Sequence, residues 1–330
     1  MRSKPSVKLI GGAPAFLDVL RQISEIADIQ APVLIEGETG TGKELVARAL
    51  HYSSPRAAMP FIPVNCGALP ESLIENELFG HCRGAYTDAR EPQMGLITQA
   101  QNGTLFLDEI DALPYRGQVA LLRFLQDFCY RPLGGTQDVQ AELRVVVATN
   151  VNLDQLVAQK QFRPDLYFRL KIFAIKLPPL RARHGDAKLL AEHFATVYSQ
   201  QYGIEQKPIA PADLAWVDSY DWPGNVRELE NLVHNAVVRS RSTRELVLKR
   251  LSPLMPNHLT PMPTINPVWT QGFQRAKADA VLAFERSFIE YALTECHGNV
   301  SAAARLSGKE RRAFGKLVKK HGLDKRQFID

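Results

Sequence analysis

From about residue 8 to residue 180, short apolar runs alternate with stretches of helical spacing. Pro32-Val33-Leu34-Ile35 reads as a strand that ends in glycines, and Glu44 to Tyr52 follows with helical spacing. Thr104 to Leu107 is a second buried-strand run, and Leu143 to Ala148 is a β-branched one. Between them, Gln118 to Phe128 places apolar residues at i, i+3, i+4 and i+7. Strands alternating with helices predict an α/β fold, a parallel sheet with helices on both faces.

The β signal fades after residue 185. Ala187 to Gly203, Pro211 to Tyr220 and Asn225 to Ser240 all read as helices, punctuated by Gly203 and the Trp222-Pro223-Gly224 turn. Ser252 to Thr270 holds five prolines and no Asp, Glu, Lys or Arg, which predicts a semi-extended linker. Helical spacing returns after it. The expected organisation is an α/β subdomain at 1–180, a helical lid at 181–251, a linker at 252–270 and an all-α domain at 271–330.

Composition narrows this picture. Apolar residues make up 45% of the 330 positions and charged residues 23%, which are globular values and exclude wholesale disorder. Cys66, Cys82, Cys129 and Cys296 form no CxxC pair, so neither a disulfide scaffold nor a zinc ribbon is expected and a reducing compartment fits. His81 and Cys82 adjoin, but no further residue has metal-ligand spacing to them, and His184 and His193 read as ordinary helix or loop histidines. No apolar run approaches ~18 residues, so no membrane partner is expected. No apolar signal core precedes a cleavage site at the start of the chain.

The candidate chemistry begins after the first strand. Gly37-Glu38-Thr39-Gly40-Thr41-Gly42-Lys43 satisfies the GxxxxGK part of a phosphate-binding loop, between a strand and a helix. Glycines let successive N–H groups turn towards a phosphate, the helix N-terminus adds positive potential, and Lys43 reaches the β/γ oxygens. Glu44 stands where the generic pattern has the Ser or Thr that holds Mg²⁺. A second strand ends in Asp108-Glu109. There, one carboxylate can hold hydrated Mg²⁺ and the next can polarise an attacking water. Loop and carboxylates together predict hydrolysis of a nucleoside triphosphate such as ATP.

These motifs resemble the AAA+ activators of sigma-54 RNA polymerase, the bacterial enhancer-binding proteins. The similarity runs through GETGTGKE, VNCGALPESLIENELFGH, GAYTDA, GTLFLDEID, ATNVNL, FRPDLYFRL, LPPLRAR and WPGNVRELEN, over about residues 10 to 240. Glu after the loop lysine is normal in that family. The layout is most similar to the phage shock operon activator type, which has no N-terminal receiver. With almost nothing before residue 8, no sensing domain is expected in cis, and control would come from assembly, expression or a regulatory protein acting in trans.

The resemblance implies roles. Asn65 corresponds to the switch asparagine that senses the γ-phosphate through Glu109. Thr149 and Asn150 correspond to the first sensor and Arg227 to the second. Arg163 and Arg169 correspond to arginines presented to a neighbouring subunit's nucleotide, which implies a homo-oligomer, a hexamer by analogy. Gly84-Ala85-Tyr86-Thr87-Asp88-Ala89 corresponds to the loop that contacts the sigma factor in the polymerase holoenzyme. Tyr86 keeps an aromatic ring there, whereas Asp88 replaces a glycine and adds charge. That departure leaves open an alternative, a regulator that acts on a different polymerase form or represses. The resemblance also implies a cytoplasmic protein at the bacterial nucleoid.

The end of the chain predicts a helix-turn-helix. Ala283 to Thr294 is amphipathic, Asn299 can cap a helix from Val300 to Leu306, Ser307-Gly308 supplies a turn, and Lys309 to Lys320 forms a basic third helix. It resembles the Fis-type domain usual in this family. Lys309, Glu310, Arg311 and Arg312 would then face bases of upstream double-stranded DNA, and Lys316, Lys319 and Lys320 its phosphates. Gly315 inside this helix costs about 1 kcal/mol of helix stability relative to alanine.

Charge sharpens the point. Residues 309–326 carry eight Lys/Arg and two acids, a net of +6, whereas the whole chain is +5 and the remainder therefore −1. The basic character belongs to one tail. Deleting residues 271–330 is expected to abolish salt-sensitive DNA binding, measured by anisotropy across a salt series, while ATP turnover persists.

Overall fold

The computed structural model describes residues 7–86, 89–240, 246–248, 273–296 and 298–323. The expected linker at 252–270 and the basic residues Lys325 and Arg326 lie outside the described residues, as do Thr87 and Asp88. Two compact units divide the chain, at 1–251 and 252–330. Among the described residues no helix is long and apolar enough to cross a membrane.

In the first unit, helix α1 (Pro14–Ile26) leads to strand β1 (Val33–Glu36), and α2 (Lys43–Tyr52) leads to β2 (Phe61–Asn65). Helix α3 (Ile74–Phe79) runs into β3 (Gly80–His81), which pairs antiparallel with β4 (Gln93–Met94) and closes the stem of the segment between them. After α4 (Leu96–Gln99) come β5 (Thr104–Asp108) and α5 (Tyr115–Asp127). A second small hairpin, β6 (Cys129–Tyr130) with β7 (Val139–Gln140), precedes β8 (Arg144–Thr149). Helices α6 (Leu153–Ala158) and α7 (Pro164–Leu170) and strand β9 (Phe173–Lys176) complete the α/β part.

Strands β2-β5-β8-β1-β9 form one sheet in that order, with every pairing parallel. A parallel sheet buries both faces, and side chains alternate between them. Leu34, Leu105, Leu107, Val145 and Val147 enter a core with α3, α5 and α7. Val33, Ile35, Phe106, Val146, Ala148 and Ile175 enter the opposite core with α1 and α2. The expected doubly covered sheet is therefore observed, with strand and helix ends within a few residues of the sequence reading.

Helices α8 (Asp186–Tyr202), α9 (Pro211–Ser219) and α10 (Asn225–Arg239) form a separate core around Trp222, whose indole N–H donates to the Val217 carbonyl at 2.8 Å. Gly203, at φ +60°, ends α8 in a left-handed turn. Arg183 and Asp186 join this helical part to the segment before α1. Their side chains, each 3% exposed, pair at 2.8 Å. Asp186 Oδ1 accepts from the backbone N–H groups of Gly12 and Ala13, and Arg183 donates to the Ile10 carbonyl while lying over the Phe16 ring.

The second unit holds α11 (Phe273–Glu295), α12 (Val300–Leu306) and α13 (Arg311–Lys320). Asn299 Oδ1 caps α12 by accepting from Ser301 and Ala302 N–H, as the sequence predicts. The third helix begins at Arg311 and not at Lys309, because Glu310 is extended (φ −64°, ψ 144°) and forms the cap. Ile289, Ala292, Leu293, Ala303, Ala304, Phe314 and Val318 make its core.

Removing one member of a buried ion pair strands the other charge, at about 3–5 kcal/mol. Asp186→Ala is expected to destabilise the first unit by that order, read as a lower urea midpoint, with a smaller loss for Asp186→Asn.

Candidate nucleotide site

The phosphate loop runs from β1 to α2 at the C-terminal edge of the parallel sheet, where the connections of the neighbouring strands β1 and β8 leave in opposite directions and ligands of such sheets bind. Gly40 and Gly42 adopt φ of +79° and +97°. Lys43 Nζ donates to the carbonyls of Gly37 at 2.9 Å and Glu38 at 3.2 Å, so its amine lies within the turn of the loop. Burial lowers the Lys43 pKa, and the carboxylates of Asp108, Asp111 and Glu109 oppose that shift. Thr41 is buried and donates to the Glu38 carbonyl at 2.7 Å. Glu44 accepts two bonds from Arg48, at 2.9 and 2.6 Å.

Parallel pairing of β2 with β5 sets Asn65 beside Asp108. Burial raises the Asp108 pKa, against the Glu109 N–H donated to its Oδ1 at 2.9 Å and the charge of Lys43. Glu109 holds φ +52°, a left-handed conformation that costs a non-glycine residue energy and clusters at working sites. Gly67 lies between the two polar groups: a methyl there would meet Glu109 Oε2 at 2.9 Å and Asn65 Oδ1 at 3.2 Å. Asn65 Oδ1 accepts from Gly67 N–H at 2.8 Å. At the end of β8, Thr149 donates to Asp111 at 2.6 Å and Asn150 donates to Thr39 of the loop at 3.0 Å.

The lid reaches the same loop. Arg227 N–H donates to the Gly40 carbonyl at 3.3 Å, and its charge opposes protonation of Lys43. Asn225, buried and at φ +53°, donates to Glu38 Oε2 at 3.1 Å and to the Thr39 carbonyl at 3.0 Å, while accepting from Leu180 N–H at 2.8 Å. Arg181 clasps Glu38 through two bonds of 2.8 and 2.5 Å. Arg181 and Asn225 together hold the Glu38 carboxyl down to about 2. Sequence reasoning placed Glu38 in the loop but missed Arg181 and Asn225. Their signal lies in LRAR and GNVRE, short polar runs whose partners are far away in sequence.

Matches to known families cover the chain in three parts: the sigma-54 interaction domain over residues 9–176, the AAA+ ATPase lid domain over 181–263, and the Fis family of bacterial regulatory proteins over 281–321. Regulatory protein AtoC of Escherichia coli K12 is 38% identical over 96% of this chain and 68% of its own length. The DNA-binding transcriptional regulator NtrC of Salmonella typhimurium is 40% identical over 97% and 71%. The chain belongs to the sigma-54 activator family. NtrX of Brucella abortus, solved in complex with ATP, superposes with a TM-score of 0.73 at 31% identity, covering 96% of this chain and 69% of that one.

This sigma-54 activator is therefore an AAA+ ATPase with a Fis-type DNA-binding helix-turn-helix. Its two α7-side arginines direct side-chain bonds to α5 and α7. Arg163 pairs with Asp165 at 2.6 Å and donates to the Tyr115 hydroxyl at 2.7 Å. Arg169 donates to the Leu125 and Gln126 carbonyls at the end of α5.

In the predicted sigma-contact segment, Gly84 has φ +80°, its N–H donates to the Ala89 carbonyl at 2.8 Å, and Ala89 N–H donates back to Tyr86 at 3.0 Å. Ala85 N–H donates to Cys82. His81 is buried beneath, its ring nitrogens 2.7 Å from Asn76 Oδ1 and 3.0 Å from the Glu91 carbonyl, with the Tyr86 ring against it at 5.1 Å. The β6–β7 hairpin braces the same stem through Cys82 N–H to Leu133 and Leu133 N–H to Gly80. In the helix-turn-helix, α13 exposes Arg311, Arg312, Lys316 and Lys319. Lys320 is exposed as well and pairs with Glu285 of α11 at 2.8 Å.

A carboxyl held down in the folded state contributes stability above its ordinary value near 4.5 and loses it as pH falls towards about 2. Glu38→Gln is expected to flatten the dependence of stability on pH between those values, measured by urea melts at successive pH. An unchanged slope would mean that the lid does not clasp the loop through this group.

Proposed function

We propose that this activator couples ATP hydrolysis, in a ring of its own copies, to movement of the Gly84–Ala89 loop, and that this movement remodels the closed complex of sigma-54 RNA polymerase. The single observation that carries the hydrolysis site is the convergence of Lys43, Asp108 and Glu109 at one edge of the sheet. In this reading the loop from Gly37 to Gly42 and Lys43 bind the phosphates, Asp108 holds Mg²⁺, and Glu109 accepts a proton from the attacking water. The donor set fits Mg²⁺, which takes one or two protein carboxylates and completes its shell with phosphate oxygens and water. Bound there, the ion would neutralise charge on the phosphates. Asn65, beside Gly67 and Glu109, orients the catalytic carboxylate. Thr149 and Asn150 connect Asp111 to the loop, and Arg227 reports nucleotide to the lid.

Arg163 and Arg169 act on a neighbouring copy, where a guanidinium offsets charge on the transferring phosphoryl group. Their partners on α5 and α7 leave them outside their own site. Phe168 between them is 72% exposed, an apolar side chain suited to burial against another copy. Upstream double-stranded DNA is held by the second unit, with Lys309, Arg311, Arg312, Lys316, Lys319 and Lys320 as its cations. Asp88 lies outside the described residues, and the reading rests on Gly84 to Tyr86 and Ala89.

Lys43→Ala is expected to abolish nucleotide binding, read by a fluorescent ATP analogue, and Glu109→Gln to retain binding while turnover drops by about 10²-fold or more. Arg163→Ala should be inactive alone, and so should Lys43→Ala, yet mixing them should restore ATP turnover if the arginine acts in trans. Mixtures no more active than either variant would remove the ring-shared site. Open-complex formation with sigma-54 holoenzyme tests the coupling.

A further inference from the structure

We propose that Gly315 is the point at which α13 comes closest to the bases of its DNA site, so that the missing side chain is itself a determinant of sequence recognition. The proposal rests on the DNA-binding reading of this helix and adds a contact to it.

A glycine inside a helix normally has an internal reason. It either adopts a positive φ or lets another element approach closely. Gly315 has neither among the described residues: it is absent from the positive-φ glycines, and a Cβ built on it meets nothing within 4 Å. The packing side of α13 is supplied by Phe314 and Val318, both buried. Gly315 therefore looks outward, half-buried by its own neighbours.

What surrounds it is charged. Arg311, Arg312, Lys316 and Lys319 are exposed and stand at i−4, i−3, i+1 and i+4 from it. The notch lies within a basic face, between Arg311 and Lys319. Arg312 and Lys316 are spaced i,i+4 and Lys316 and Lys319 i,i+3, like-charge pairs that weaken an isolated helix. The helix thus carries two local defects on one face, a glycine and clustered cations. A polyanion relieves the second, and close approach of its groove uses the first. Arg311 and Arg312 reach base edges and Lys316 and Lys319 hold phosphates, while bare backbone at position 315 lets a further base edge or thymine methyl reach van der Waals contact.

The test uses the full chain and two labelled duplexes of equal length, one enriched by the wild-type protein from a randomised pool and one unselected. Gly315→Ala and Gly315→Leu are expected to weaken binding to the enriched duplex by about tenfold or more, leucine more than alanine, as a lost base contact would. Binding to the unselected duplex should stay unchanged, and thermal unfolding of the C-terminal helices should not fall, since both residues favour helix over glycine. Wild-type affinity for the enriched duplex, or equal losses on both duplexes, would overturn the proposal. The underlying reading is tested separately by the double variant Arg312→Ala, Lys319→Ala. Undiminished binding of that variant to both duplexes would overturn the reading of the helix as a DNA face.

Discussion

The constraint on which the first unit turns is the contact between the phosphate loop and the N-terminal end of α10. A Cβ at Gly40 would meet the Gly224 carbonyl at 2.3 Å and Arg227 Cβ at 3.1 Å, so only glycine permits this approach. With the backbones that close, Arg227 N–H reaches the Gly40 carbonyl, Asn225 reaches Glu38 and Thr39, and Arg181 reaches Glu38. The loop is consequently held from two directions, by β1 beneath it and by the lid above. A group that reorganises the loop must alter bonds to the lid, which gives nucleotide binding a direct mechanical route to a second body of structure.

A second route leaves the site along the chain. Asn65 ends β2, and the residues after it turn through Cys66–Ala68 and Glu71–Leu73 into α3, which runs without interruption into the β3 stem below Gly84 to Tyr86. His81 ties that stem to Asn76 of α3 and to Glu91 on the returning arm. The β6–β7 hairpin braces it from the side. Asn65, which like Glu109 borders Gly67, and the aromatic ring of Tyr86 are therefore joined by short, hydrogen-bonded pieces. That arrangement suits a small displacement being passed on with little loss.

Much of this was legible in the chain. The doubly covered sheet followed from apolar runs at strand length alternating with helical spacing, because a parallel strand buries both faces and leaves a continuous apolar signature. The phosphate loop, the Asp108-Glu109 pair and the Asn299 cap were legible because each is a local device, its partners lying within a few residues. The clasp of Glu38 by Arg181 and Asn225 was not legible, nor was the Arg183–Asp186 anchor of the segment before α1. In both, the bonds run between residues more than 140 positions apart in sequence, or couple a helix start to a remote backbone N–H.

The same division holds in the helix-turn-helix. By itself the sequence determined where charge concentrates, where the helices cap and turn, and that a glycine interrupts the basic helix. Tertiary structure decided which of those charges are available. It paired Lys320, itself exposed, with Glu285 on α11, left Arg312, Lys316 and Lys319 exposed, and set no described residue within 4 Å of a Cβ at Gly315. The reason is physical: capping, turning and periodicity depend on neighbours along the chain, whereas the partner of a charge and the room beside a glycine depend on which distant surface folds against them.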